Sequence, residues 1–151
     1  MKTLVLGLGN PLVTDDSVGL RVVAELKPLL ADRPDIEVSE DYWGGLRLME
    51  RMEGFERAIV VDAIVTGALP GTIHHLMPAS MPTQRSAAAP ADNVPTARAG
   101  GRDAGSALPQ DENIQLVGIE AEDILTFGEQ CTPAVAAAIA RAVQEVMQLL
   151  S

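Results

Sequence analysis

The chain has 151 residues, 47% hydrophobic and only 3% aromatic, enough for one domain whose core must be built from aliphatic side chains. Its formal net charge of -10 argues against nucleic-acid backbones and anionic membrane surfaces, which attract basic proteins. A single cysteine (Cys131) excludes an internal disulfide, the start Met1-Lys2 runs into a strand-like segment rather than a secretory signal, and no apolar run reaches bilayer length; together these lead us to expect a cytoplasmic protein.

In chain order, Lys2 to Leu8 is apolar on both faces, the pattern of a central parallel strand. A glycine turn (Gly7, Gly9) follows. The next helix is expected to start near Asp15 or Asp16 and run toward Leu30, with Val18, Val22, Val23, Leu26, Leu29 and Leu30 as its apolar stripe and Pro28 kinking or shortening it. Ile36 to Val38 reads as a short strand. Gly44 and Gly45 open a helix with Leu46, Met49 and Met52 on its apolar face and Gly54 as its stop. Ala58 to Asp62 is a second strong strand, Pro70-Gly71 a turn, and Thr72 to Leu76 a third strand.

Residues 79–110 are rich in Ser, Ala, Pro and Gly. The pair Gly100-Gly101 weakens any helix there by roughly 1 kcal/mol per glycine, so this stretch reads as a flexible insertion with a marginal helix from about Asn93 to Ala107. Ile114 to Ile119 is a further strand, ending in the acidic turn Glu120, Glu122, Asp123. A last helix starts with Thr132 as N-cap and Pro133 at its first position, with Val135, Ile139, Val143, Val146 and Leu150 facing the core. The alternation of strands and helices implies a single α/β domain, a three-layer sandwich with a mostly parallel central sheet flanked by helices.

That architecture singles out the acids. Asp16 lies just past the first strand and Asp62 ends another, so two parallel strands would project both from one carboxyl edge, where α/β proteins place their chemistry. Asp15 reads either as a helix cap, with Asp16 turned inward, or as a second site acid. The GLGNP turn lacks the third glycine of a dinucleotide fingerprint: Leu12 stands there, Pro11 intervenes, and Asp41 is only loosely spaced, so no nucleotide is expected. The GLGNP turn is also similar to that of the peptidyl-tRNA hydrolases, but that family continues with a catalytic histidine where this chain has Asp15-Asp16-Ser17. Cys131 has no base beside it in sequence, although a nearby helix start would lower its pKa.

Five blocks, GLGNPLVTDDSVGLRVVAEL, DYWGGLRLMERM, RAIVVDAIVTGALPGTI, VGIEAEDI and a helix opened by TP, together resemble the hydrogenase maturation endopeptidases in order and spacing over nearly the whole chain. The resemblance implies a cytoplasmic, aspartic-type endopeptidase. It removes the C-terminal extension of a nickel-iron hydrogenase large-subunit precursor once nickel has been inserted, and it recognises the nickel carried by that substrate. It places metal-binding and catalytic acids at Asp16 and Asp62, and matches Trp43, Gly44 and Gly45 to a turn that lets a substrate tail approach. The family's third metal ligand is a histidine that should fall close to Pro90; no histidine occurs from Ala79 to Leu108. The only two, His74 and His75, are adjacent on a strand and point to opposite faces, one packed and one at the surface. Glu120 is therefore the expected substitute, as a carboxylate can take the place of imidazole for a divalent ion. A monomer is expected, since no amphipathic stretch is left over. The competing reading is an inactive relative that binds a precursor or metal without cutting.

Overall fold

The computed structural model describes residues 2–42, 46–77, 108–128 and 130–151. The expectations for Trp43, Gly44 and Gly45, and for the insertion at 79–110 up to Ala107, fall outside these residues. Five strands form one sheet: β1 (Thr3–Leu8), β2 (Ile36–Asp41), β3 (Arg57–Ile64), β4 (Ile73–Leu76) and β5 (Ile114–Glu120), in the order β2-β1-β3-β5-β4. The first four neighbours in that row are parallel, and β4 closes the edge antiparallel to β5. Three helices are described: α1 (Val18–Leu29), α2 (Leu46–Met52) and α3 (Pro133–Leu150). Among the described residues no helix is long and apolar enough to cross a membrane.

The sheet separates two apolar layers, because alternate residues of a strand point to opposite faces. On one side Val5, Ile59, Val61 and Val117 pack against α1 and α3 through Val22, Val23, Leu26, Val135 and Val146. On the other, Leu4, Leu6, Val60, Ile64 and Leu116 meet Met52 of α2. Every residue of β1 is buried, as its unbroken apolar run required. Leu29 is half exposed instead of joining the α1 stripe, and α1 runs through Pro28 to its end. In α3 Ala138 and Ala142 are fully buried, whereas Ile139 and Leu150 are only partly buried. The strands β2 and β3 run past their expected ends, to Asp41 and Ile64.

α1 lies unusually close to the sheet. A Cβ on Gly19 would sit 2.3 Å from the Val61 carbonyl oxygen and 2.5 Å from that of Leu8, and one on Gly7 would sit 2.5 Å from the Gly19 carbonyl oxygen. Bare backbone at Gly7 and Gly19 thus allows the start of α1 to rest on the carboxyl ends of β1 and β3. Gly19→Ala is expected to cost about 2–4 kcal/mol, the strain of overpacking against backbone that has no rotamer to yield. A urea midpoint unchanged from wild type would show that the helix can lift off without penalty.

Candidate active site

The chain leaves β1 for β2 on one side and later returns to β3 on the other side of β1. The carboxyl ends of β1 and β3 therefore flank a topological switch point, the place where open α/β sheets form their binding crevice. Both leading acids are there. Asp62 is the first β3 residue beyond the ladder with β1, which ends at the pair Gly7–Val61, and it lies opposite Gly118 of β5. It is two residues short of the strand end rather than at it. Only 1% of Asp62 is exposed, and its Oδ1 accepts the Ala63 N–H at 2.8 Å. Asp16 sits in a short 3-10 turn (Asp15–Ser17) between β1 and α1, partly exposed, and this turn packs against β3.

The backbone of Asp16 is held from below. Its carbonyl oxygen accepts the Asn10 N–H at 3.2 Å, and a Cβ on Gly9 would lie 2.2 Å from that oxygen. The glycines of GLGNP thus serve the approach of the Asp16 turn and of α1, which explains why a phosphate-binding third glycine is not needed.

The two neighbouring acids divide their roles differently from either sequence reading of Asp15. Asp15 makes no cap bond to α1 and is the one turned inward, with no exposed surface. Its Oδ2 accepts the N–H groups of Glu122 and Asp123 at 2.8 Å each, and its Oδ1 accepts that of Thr132 at 2.8 Å. The Thr132 hydroxyl adds a contact of 2.8 Å to Oδ2. Thr132 is the N-cap residue of α3 by position, but its hydroxyl turns back to Asp15 and makes no cap bond to the helix. Sequence reasoning missed Thr132 as part of this site; the retained TP block was its only trace.

Glu120 does not join the two aspartates. It is buried, and its carboxylate accepts the Thr66 N–H at 2.7 Å, the Thr66 hydroxyl at 2.6 Å and the Gly67 N–H at 3.2 Å, with His74 Nε2 at 3.2 Å. These four contacts tie Glu120 to the β3–β4 turn. Among the described residues no three His, Cys, Asp or Glu side chains converge as a metal-binding group. His74 and His75 do face opposite ways, as strand alternation required: His75 pairs with Glu145 of α3 at 2.9 Å. Burial pushes the Cys131 thiol up in pKa, against the lowering contact with Ser17, which is contrary to the lowering expected near a helix start and leaves a poor nucleophile.

Burial raises the Glu120 carboxyl, but the bonds from Thr66, Gly67 and His74 outweigh it and hold the pKa below the ordinary 4.5. A carboxylate depressed on folding contributes stability that is full above its unfolded pKa and lost as pH falls through the folded one. Glu120→Gln is accordingly expected to lower the urea midpoint at neutral pH. The gap to wild type should shrink in acid below about 4.5. A gap of constant size down to about pH 3 would contradict this linkage.

Fold and topology together define a doubly wound α/β protein with Asp16 and Asp62 beside its switch point. The family model for the hydrogenase maturation proteases matches residues 20–149, and the chain belongs to that family. Among curated relatives, the hydrogenase 2 maturation protease of Escherichia coli (strain K12) is 34% identical over 83 residues, 54% of this chain and 51% of the relative. The hydrogenase expression/formation protein HupD of Bradyrhizobium diazoefficiens is 36% identical over 72 residues, 48% of this chain and 38% of HupD. The chain spans about half the length, or less, of these curated relatives. The solved structure of the hydrogenase maturating endopeptidase HybD from E. coli superposes with a TM-score of 0.76 at 28% identity, covering 99% of this chain and 92% of that one. The [NiFe] hydrogenase maturation protease HybD from Thermococcus kodakarensis gives 0.61 at 25%, with both chains fully covered.

Proposed function

We propose that this protein is an endopeptidase that removes the C-terminal extension of a nickel-iron hydrogenase large-subunit precursor after nickel insertion. It acts in the cytoplasm as a monomer and recognises the substrate's nickel through Asp16 and Asp62. The observation that carries the reading is the meeting of family membership with topology: both acids flank the β1/β3 switch point, one in the loop after β1 and one on β3. Carboxylate oxygens suit a divalent ion, and two of them suit an ion whose remaining ligands the substrate already supplies. The substrate's nickel, held by Asp16 and Asp62, would supply Lewis-acid polarisation of the scissile carbonyl. One of the two carboxylates orients a water and takes its proton as the water oxygen adds to the carbonyl carbon; the C–N bond then breaks and the proton passes to the leaving amine.

A second reading rests on a specific observation. No histidine occurs from Ala79 to Leu108, and Glu120, the nearest alternative, is fully engaged by Thr66, Gly67 and His74. On that reading the protein binds a precursor without cutting it. Incubation with nickel-loaded and nickel-free precursor, followed by mass spectrometry of the large subunit, separates the two. Loss of the extension from the nickel-loaded form alone is the expected result. Binding without cleavage, with cleavage appearing in Pro90→His, would establish the second reading.

A further inference from the structure

We propose that Asp15 and Thr132 form a positioning clasp that sets the placement of Asp16. This inference rests on the reading that Asp16 belongs to the site. Three separate restraints converge on the short turn that carries Asp16. Below it, the Asn10 N–H and the bare Gly9 hold the Asp16 carbonyl oxygen. Beside it, Thr14 is fastened to the β5–α3 loop: its N–H donates to the Thr126 carbonyl at 3.0 Å and its hydroxyl to the same oxygen at 2.6 Å. Behind it, the Asp15 N–H donates to the Asp123 carbonyl at 2.9 Å while its carboxylate gathers Glu122, Asp123 and Thr132.

The far side of the clasp is itself made rigid. The Asp123 carboxylate accepts the N–H groups of Leu125 and Thr126 at 3.0 and 2.9 Å, which hold its carboxyl below the usual range. Asp16 is thus the one partly exposed residue in a turn whose neighbours on both sides, Asp15 and Ser17, are buried and bonded. A carboxylate on a long unsupported loop would sample many positions. Here its backbone is anchored to the turn after β1 by Asn10 and, through Asp15, to the entry of α3 by Thr132, and catalytic geometry is sensitive to displacements of about 1 Å.

The clasp can be loosened without removing its carboxylate. Thr132→Val deletes only the hydroxyl that reaches Asp15 and keeps the Thr132 N–H, and the extended backbone of this residue accepts a β-branched side chain. Thr132→Ser restores the hydroxyl. With a nickel-loaded precursor, and at temperatures well below unfolding, Thr132→Val is expected to lower kcat about tenfold with KM within about twofold of wild type, and Thr132→Ser to recover most of the loss. A purely structural role would change the folded fraction and leave kcat per folded molecule alone. Hydrogen exchange of the Asn10 amide, which donates to the Asp16 carbonyl, supplies a readout that needs no cleavage. It is expected to speed up about tenfold in Thr132→Val while the amides of β1 and β3 are unchanged. Wild-type kcat in Thr132→Val, alongside an inactive Asp16→Asn control, would overturn the clasp and leave the proposed function standing. Should the wild type itself prove unable to cleave, the function fails on its own account and Asn10 exchange decides the clasp: unaltered protection in Thr132→Val overturns it.

Discussion

Asp62→Asn is expected to reduce cleavage of a nickel-loaded precursor by about 10²–10⁴-fold, the range that positioned acid–base groups contribute, with little change in stability. The substitution is well suited to separating chemistry from folding. Asparagine has the shape of aspartate, and its carbonyl oxygen can go on accepting the Ala63 N–H that Asp62 Oδ1 accepts now. What disappears is the carboxylate's second acceptor oxygen and its capacity to take up a proton, at a position with 1% exposure. Asp16→Asn tests the other half of the pair. Asp16 is partly exposed, and its backbone carbonyl accepts the Asn10 N–H, a bond the substitution leaves in place, so the variant is expected to fold and still fail to cut. Mass spectrometry of the precursor together with urea unfolding of each variant supplies both numbers. Wild-type cleavage rates in both variants would remove the two aspartates from the reaction and leave the family membership without a local chemical explanation.

How far the site was legible in the sequence depends on the distance over which its parts act. The strands of the sheet were readable because each is a run of aliphatic residues whose burial is decided locally, and Asp62 was visible as the acid interrupting such a run. The helix α1 was readable in its stripe except at its last residue, Leu29, which is half exposed while Leu30 beside it is buried. The fate of the adjacent acids Asp15 and Asp16 could not be read in the same way. Local reasoning offers Asp15 a helix N-terminus one turn away, whereas the structure gives it amide donors 107 to 117 residues further along the chain. Glu120 was legible as the acid ending β5, whereas the Thr66 and Gly67 donors that hold it were not, because they come from the turn after β3. Gly7, Gly9 and Gly19 show the same limit from the other side: a glycine-rich turn after a first strand suggests a phosphate cradle, and only the packed structure shows those hydrogens facing protein carbonyls.

Asp15→Ala is expected to destabilise the fold by about 3–5 kcal/mol, because three backbone N–H groups in part-buried bonds lose their acceptor, each at the lower end of the roughly 1–3 kcal/mol that a fully buried unpaired donor costs, and the Thr132 hydroxyl loses its partner as well. The effect should be larger than the loss of an exposed cap, since the donors come from two places: Glu122 and Asp123 just beyond β5, and Thr132 at the head of α3. Removing their common acceptor therefore releases the loop between the last strand and the last helix from the turn after the first strand. Asp15→Asn separates charge from shape. Its single carbonyl oxygen can serve one side of the clasp, while its amide would point hydrogens at the N–H donors on the other, so a loss of about 1–3 kcal/mol is expected rather than recovery. Urea unfolding at neutral pH gives both values. A loss below about 1 kcal/mol in Asp15→Ala would mean that the donors are served as well by water as by the carboxylate, and that burial at this position reflects packing alone.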